Sequence, residues 1–184
     1  MSIESDIQAI RNTLNTKYDK TGGHISGHVS IAGSLSVSGT MSAPRVIGAK
    51  WNANDLAELF AAGIDIPVGY IVMLDLDSEE ETYTIATKGK GPLVGVVSDE
   101  YGFLLGGEPR PGFVPISLAG RVNVYVHGTV KAGQAVGLSD IPGIGIAADI
   151  SDDIIGVAVE TKNTEGIGKV RIKVKGFKIL QVWK

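Results

Sequence analysis

From Ile25 to Ala43 the chain alternates with period two. Ile25, Gly27, Val29, Ile31, Gly33, Leu35, Val37, Gly39, Met41 and Ala43 hold the odd positions, and nearly every even one is serine, threonine or histidine. Such alternation marks extended chain with one buried face. On that face a glycine recurs at Gly27, Gly33 and Gly39, with Val29 and Ile31, then Leu35 and Val37, between them. A single strand this long exceeds the usual ~3–10 residues, so the glycines are expected at bends or close backbone approaches. One copy buries too little apolar surface to offset its ordering entropy. The pattern therefore predicts a shaft in which other copies supply the missing surface, three chains winding together with the serines in water. The alternative is a flexible Gly/Ser linker.

Upstream, residues 3–18 read as a short helix, with Ser2 as N-cap and Glu4 and Asp6 in the first turn, where carboxylates suit the macrodipole. Ile3, Ile7, Ile10 and Leu14 make a heptad seam on an otherwise polar helix. Isoleucine at both a and d favours trimers or higher states over dimers. A helix docked on its own domain is the alternative.

Beyond Pro44 the pattern changes again. Asp55–Ala62 is expected to be a short helix, capped by Asn54, stopped by Gly63 and apolar along Leu56, Leu59 and Phe60. Strands are expected at 69–75, 82–87, 93–98, 113–119, 121–127, 134–138, 154–160, 169–175 and 177–183. Short strands at regular intervals with turn signals indicate an all-β barrel or sandwich. The strands also repeat. Pro67–Leu74 parallels Lys131–Leu138 at an offset of 64, Leu93–Val97 matches Ile154–Ala158 at 61, and Val114, Ile116, Leu118 and Gly120 line up with Val170, Ile172, Val174 and Gly176 at 56. Changing offsets place the length differences in loops. The expected architecture is mostly β: a coiled-coil helix (1–20), an intertwined trimeric β shaft (21–44) and a β-barrel or sandwich of two duplicated β-units (45–184).

Composition narrows the chemistry. The 184 residues carry 17 Lys+Arg against 20 Asp+Glu, a net charge of -3, which argues against an electrostatically driven nucleic-acid binder. No cysteine is present, which removes disulfides, thiolate nucleophiles and Cys-based zinc sites. No apolar run approaches the ~20 residues that span a bilayer, and the first residues lack the pattern of a signal peptide. There is no G-x-S-x-G elbow, P-loop, H-E-x-x-H or Rossmann fingerprint, so no cofactor is expected. His24 and His28 fall on the serine face, and the run Asp75–Glu81 lacks EF-hand spacing; no metal is expected. The remaining pair is Asp55 and Glu58, neighbours if the segment is helical, where like charges push one pKa up and supply material for acid/base work. For a receptor face the candidate is the loop 99–113, whose Tyr101, Phe103 and Phe113 would stack on sugars.

The order of Asp55–Phe60, Ile66-Pro67-Val68-Gly69, Val94–Ser98, Val114–Val122, Gly128-x-Val130-x-x-Gly133 and Ile155–Ala158 resembles the C-terminal domain of bacteriophage tail appendages. That family is called peptidase G2, or the intramolecular-chaperone autoproteolytic domain, and the likeness covers roughly residues 45–176. Lys20-Thr21-Gly22-Gly23 and the hexads that follow look like the shafts of trimeric phage tail fibres. The resemblance implies a domain that trimerises a fibre, assists its folding and in some members cuts itself off. The family's acidic motif would fall on Asp55 and Glu58, but Ala61-Ala62-Gly63 stand here where a further acid and aromatic often follow. The expected role is therefore structural rather than enzymatic: a homotrimeric short tail fibre or fibre tip, located in the virion. Its N-terminus would attach to baseplate, tail or capsid proteins, and the β-domain would meet a host surface glycan or protein. The alternatives are self-cleavage through Asp55 and Glu58, and a capsid head fibre or decoration protein, whose small β-domains the strand pattern also resembles.

Overall fold

Glu4 and Asp6 lie in the first turn of a 15-residue helix, α1 (Ile3–Lys17), in the computed structural model, which describes residues 3–17, 26–43, 55–149 and 153–174. Gln8 Nε2 donates to Asn12 Oδ1 one turn on, at 3.1 Å. Ile3, Ile7 and Ile10 are all exposed, Ile3 by 78%. Residues 26–43 form no strand pairing and bend at Gly27, Gly33 and Gly39, the periodic positions. Val29, Ile31, Leu35, Val37 and Met41 are exposed there, Leu35 by 65%. Helix and shaft residues belong to one unit, Met1–Arg45; the rest forms a second, Val46–Lys184. Among the described residues no helix is long and apolar enough to cross a membrane.

Among the described residues the regular elements of the second unit are all strands: β1 (Asp55–Ala61), β2 (Ile71–Leu74), β3 (Tyr83–Ile85), β4 (Leu93–Val97), β5 (Phe103–Leu105), β6 (Phe113–Val126), β7 (Ala135–Leu138), β8 (Gly145–Ala148), β9 (Ile154–Ala158) and β10 (Gly168–Val174). Three expectations need correction. Asp55–Ala62 is not a helix: β1 pairs parallel with β5 and antiparallel with β6, and hydrogen bonds on both edges override the helical propensity of Leu, Ala and Glu. The strands expected at 113–119 and 121–127 are one, because Gly120, at a φ of 105°, takes a bend that a side-chain-bearing residue would resist. The span 99–113 is not wholly a loop, since it contains β5. The strand expected at 177–183 lies outside the described residues.

β6 joins two rings. On one side, β6-β10-β9-β7-β8 closes into a barrel, with Val126 bridging Gly145 in parallel. On the other, β6-β4-β2-β3 continues the sheet, and a bridge between Ala62 and Tyr83 returns it to the end of β1. The two rings pair alike. Val72 faces both Gly95 and Ile85, and Val136 faces both Gly156 and Ala147. Val97 faces Ile116 as Ala158 faces Ile172. Ala61 faces Phe113 as Tyr125 faces Lys169. A Cβ on Gly95 would strike the Ser117 carbonyl oxygen, and one on Gly156 the Lys173 carbonyl oxygen. Even the register shifts match, after Val72 and after Val136.

Packing follows from these pairings. Ile66, Val72, Tyr83, Val97, Val114 and Ile116 fill one core. Val124, Val136, Ile155, Val170 and Ile172 belong to the other, which also takes Ile71, Met73 and Val96. β2 is therefore covered on both faces, which explains its unbroken apolar run.

Candidate functional site

β1 places Asp55 and Glu58 apart. Asp55, Ala57 and Leu59 point inward while Glu58 is half-buried on the alternate face. Three residues of extended chain separate the two by ~10 Å, so they share no proton and the expected acid pair does not form. Glu58 instead acts on Tyr83, whose phenol is pushed well above its ordinary value, first by burial, then by its hydrogen bond to Glu81, and lastly by the Glu81 and Glu58 charges. The Tyr83 hydroxyl donates to Glu81 Oε1 at 2.6 Å.

Asp55 is the more unusual of the two carboxylates. It is 5% exposed, opposite Gly120 at the bend of β6. Burial pushes its carboxyl pKa up from 3.8; the hydroxyls of Ser117 and Ser98 pull the other way, and the Glu100 charge adds to the rise. Asp55 Oδ2 and Ser117 Oγ are both buried without completing a hydrogen bond. The recess beside Asp55, with Ser98, Glu100, Arg121 and Arg171 on its walls, has a volume of about 10 Å³, room for about one water. A diffusible substrate does not fit. The chemistry open to such an acid is proton transfer to a water or to the chain's own backbone.

Ser117, on β6, and Ser98, just after β4, come to Asp55 from positions remote in sequence. They were not singled out from the sequence, where each is one more serine beside an apolar run; only the pairing of Ser117 with both Ala57 and Val96 brings them to Asp55. The aromatic candidates scatter. Tyr101 is half-buried, Phe103 lies on β5 and is 52% exposed, and Phe113 opens β6 with the Arg110 guanidinium 3.7 Å over its ring. Arg110 also donates to the Gly106 carbonyl at 2.9 Å. One face of Phe113 is thus occupied. Of the self-association residues, Leu14 lies on α1, with its side chain outside the description. Among the described residues no cluster of three or more His, Asp or Glu is arranged to hold a metal.

No family model and no curated protein matches the sequence. Solved structures do share the fold. The pre-mature gene product 12 of bacteriophage phi29 is similar with a TM-score of 0.58 and 22% identity, covering 76% of this chain and 24% of that one. A C-terminal fragment of the same phi29 gene product 12 is similar with a TM-score of 0.52 and 22% identity, covering 66% of this chain and 100% of the fragment. This chain thus matches about a quarter of the pre-mature protein's length.

Proposed function

We propose that this chain is a structural protein of a bacteriophage virion. It is a homotrimeric short tail fibre or fibre tip, bound to other virion proteins through its N-terminus, with the β-domain turned to the host surface. The observation that carries the reading is the unpartnered apolar row of the shaft: Val29, Ile31, Leu35 and Val37 are all exposed in a single chain, on the parity that three wound copies would bury. Ile3, Ile7 and Ile10 add a second such row. The shared fold with phi29 gene product 12 supports a phage origin. The β-domain is read as two copies of one five-strand unit, the first built of β1, β2, β3, β4 and the first half of β6, the second of the rest of β6, β7, β8, β9 and β10. Light scattering or mass photometry at micromolar concentration tests the fibre reading, with a trimer expected and a monomer rejecting it.

A second reading is self-cleavage, as in the peptidase G2 domain that the sequence resembles. The observation that favours it is Asp55: buried, with an incompletely bonded carboxyl and a raised pKa, a suitable acid for a backbone bond. The comparison proteins include both a pre-mature chain and a C-terminal fragment. Glu58 has no part in this version. Intact-mass spectrometry after prolonged incubation separates the readings: a fragment starting near residue 50 supports cleavage, and a single full-length species rejects it.

A further inference from the structure

A groove of about 440 Å³ opens on the β-domain between Tyr70 and Tyr125, with Pro67, Ile167, Asp99 and Lys169 also on its walls. The volume lies in the range of small-ligand sites. The two tyrosines meet edge to face, with ring centroids 6.0 Å apart and planes at 77°, the arrangement that the ring quadrupoles prefer. Both rings pack closely against glycines of positive φ. A Cβ on Gly69 would come within 3.0 Å of Tyr125 Cδ2, and one on Gly143 would strike Tyr70 Cδ2. Each ring is thus already packed on one side before any ligand arrives, which lessens the ordering that binding must impose.

The polar groups of the groove have no competing work. The Tyr70 and Tyr125 hydroxyls and the exposed Asp99 carboxylate make no hydrogen bond among the described residues, and the Lys169 ammonium lies 5.4 Å from the Tyr125 ring centroid. At that distance on an exposed site the cation–π contact is weak and exchangeable. One carboxylate and one ammonium leave the groove with no net charge, which does not select an ionic ligand. Aromatic surface beside a free carboxylate and free hydroxyls matches a molecule with an apolar C–H face and a rim of hydroxyl donors.

We propose that this groove binds one pyranose ring of a neutral glycan, its C–H face stacked on one tyrosine ring and its edge against the other, with its hydroxyls bonded to Asp99 and Lys169. That the glycan belongs to a host surface rests on the fibre reading above; the sugar binding itself does not. A proline-rich peptide would also use aromatic walls, but it has no hydroxyl donors for Asp99.

The test is an NMR titration of the full-length protein, following the ring signals of Tyr70 and Tyr125. The probes are the methyl glycosides of glucose, galactose and N-acetylglucosamine, each at millimolar concentration. At least one is expected to give saturable shifts of both rings, with affinity falling about tenfold or more in Asp99→Asn and also in Tyr125→Leu. Asp99 is exposed, so that variant keeps the fold even if Tyr125→Leu does not. Four results would overturn the proposal: no shift with any glycoside, equal shifts with cyclohexanol, unchanged affinity in Asp99→Asn, or tighter binding of a tetraproline peptide. Light scattering on the same samples keeps the two readings apart. A trimer without sugar shifts rejects the groove alone, and a monomer with them rejects the fibre alone.

Discussion

Asp55 is a residue whose burial works against the fold. Its carboxyl pKa is raised in the folded chain, so the native state holds its proton more tightly than the unfolded state. Stability from this group is then greatest below 3.8 and falls as pH rises through the raised value. Asp55→Asn is expected to melt higher than the native chain at neutral pH and at the same temperature in strong acid, in melting curves recorded across that window. Lys162 is the opposite case. It is 8% exposed, and its ammonium donates to the carbonyls of Gly128, Thr164 and Gly166 at 2.7, 2.5 and 2.5 Å. A single cation thus ties the 162–168 connection to the end of β6. Lys162→Met keeps the aliphatic stem but strips three carbonyls of their donor, and is expected to cost about 2–4 kcal/mol in urea unfolding. Gly156→Ala, whose new methyl group meets the backbone oxygen of Lys173, should cost about 1–3 kcal/mol by the same measurement.

At the scale of elements, β6 is the strand on which both rings depend. Gly120 is the residue where it pairs with β1 at Asp55 and with β10 at Val174, and its φ of 105° makes Gly120→Val a test of that bend. The variant is expected to lose about 1–3 kcal/mol and to weaken both rings together, seen as amide exchange rising in β1 and β10 alike. The sequence displayed this bend as a gap between two strands, because glycine punctuation reads the same for a kink and for a break. Most other strands were legible from alternation and turn residues, whereas pairs such as Val72–Gly95 and Val136–Gly156 join residues whose partnership no local pattern announces. β1 was not. Asp55-Leu56-Ala57-Glu58-Leu59-Phe60 carries a helical spacing and no period-two alternation, and only neighbours distant in sequence, β5 and β6, hold it extended. The acid pair goes with the helix, since two carboxylates three residues apart meet on a helix and diverge on a strand.

Across the whole molecule, the two units meet their hydrogen-bonding needs in different ways. Among its described residues the β-domain closes its rings with its own strands. The shaft residues 26–43 have no strand pairing within the chain, and their apolar row faces solvent. If three chains wind together, shaft stability depends on protein concentration by mass action, whereas that of the β-domain does not. Calorimetry over a hundredfold concentration range is expected to show one transition that moves and one that stays. Leu35→Asp or Val29→Asp would place three carboxylates around one axis, where like charges out of water repel strongly. Either variant should abolish the moving transition and yield monomers by light scattering. Ser34→Asp, one residue away on the opposite parity, should leave both transitions in place. Equal effects of Leu35→Asp and Ser34→Asp would mean that the shaft has no buried face, and the trimer would then have to be held elsewhere.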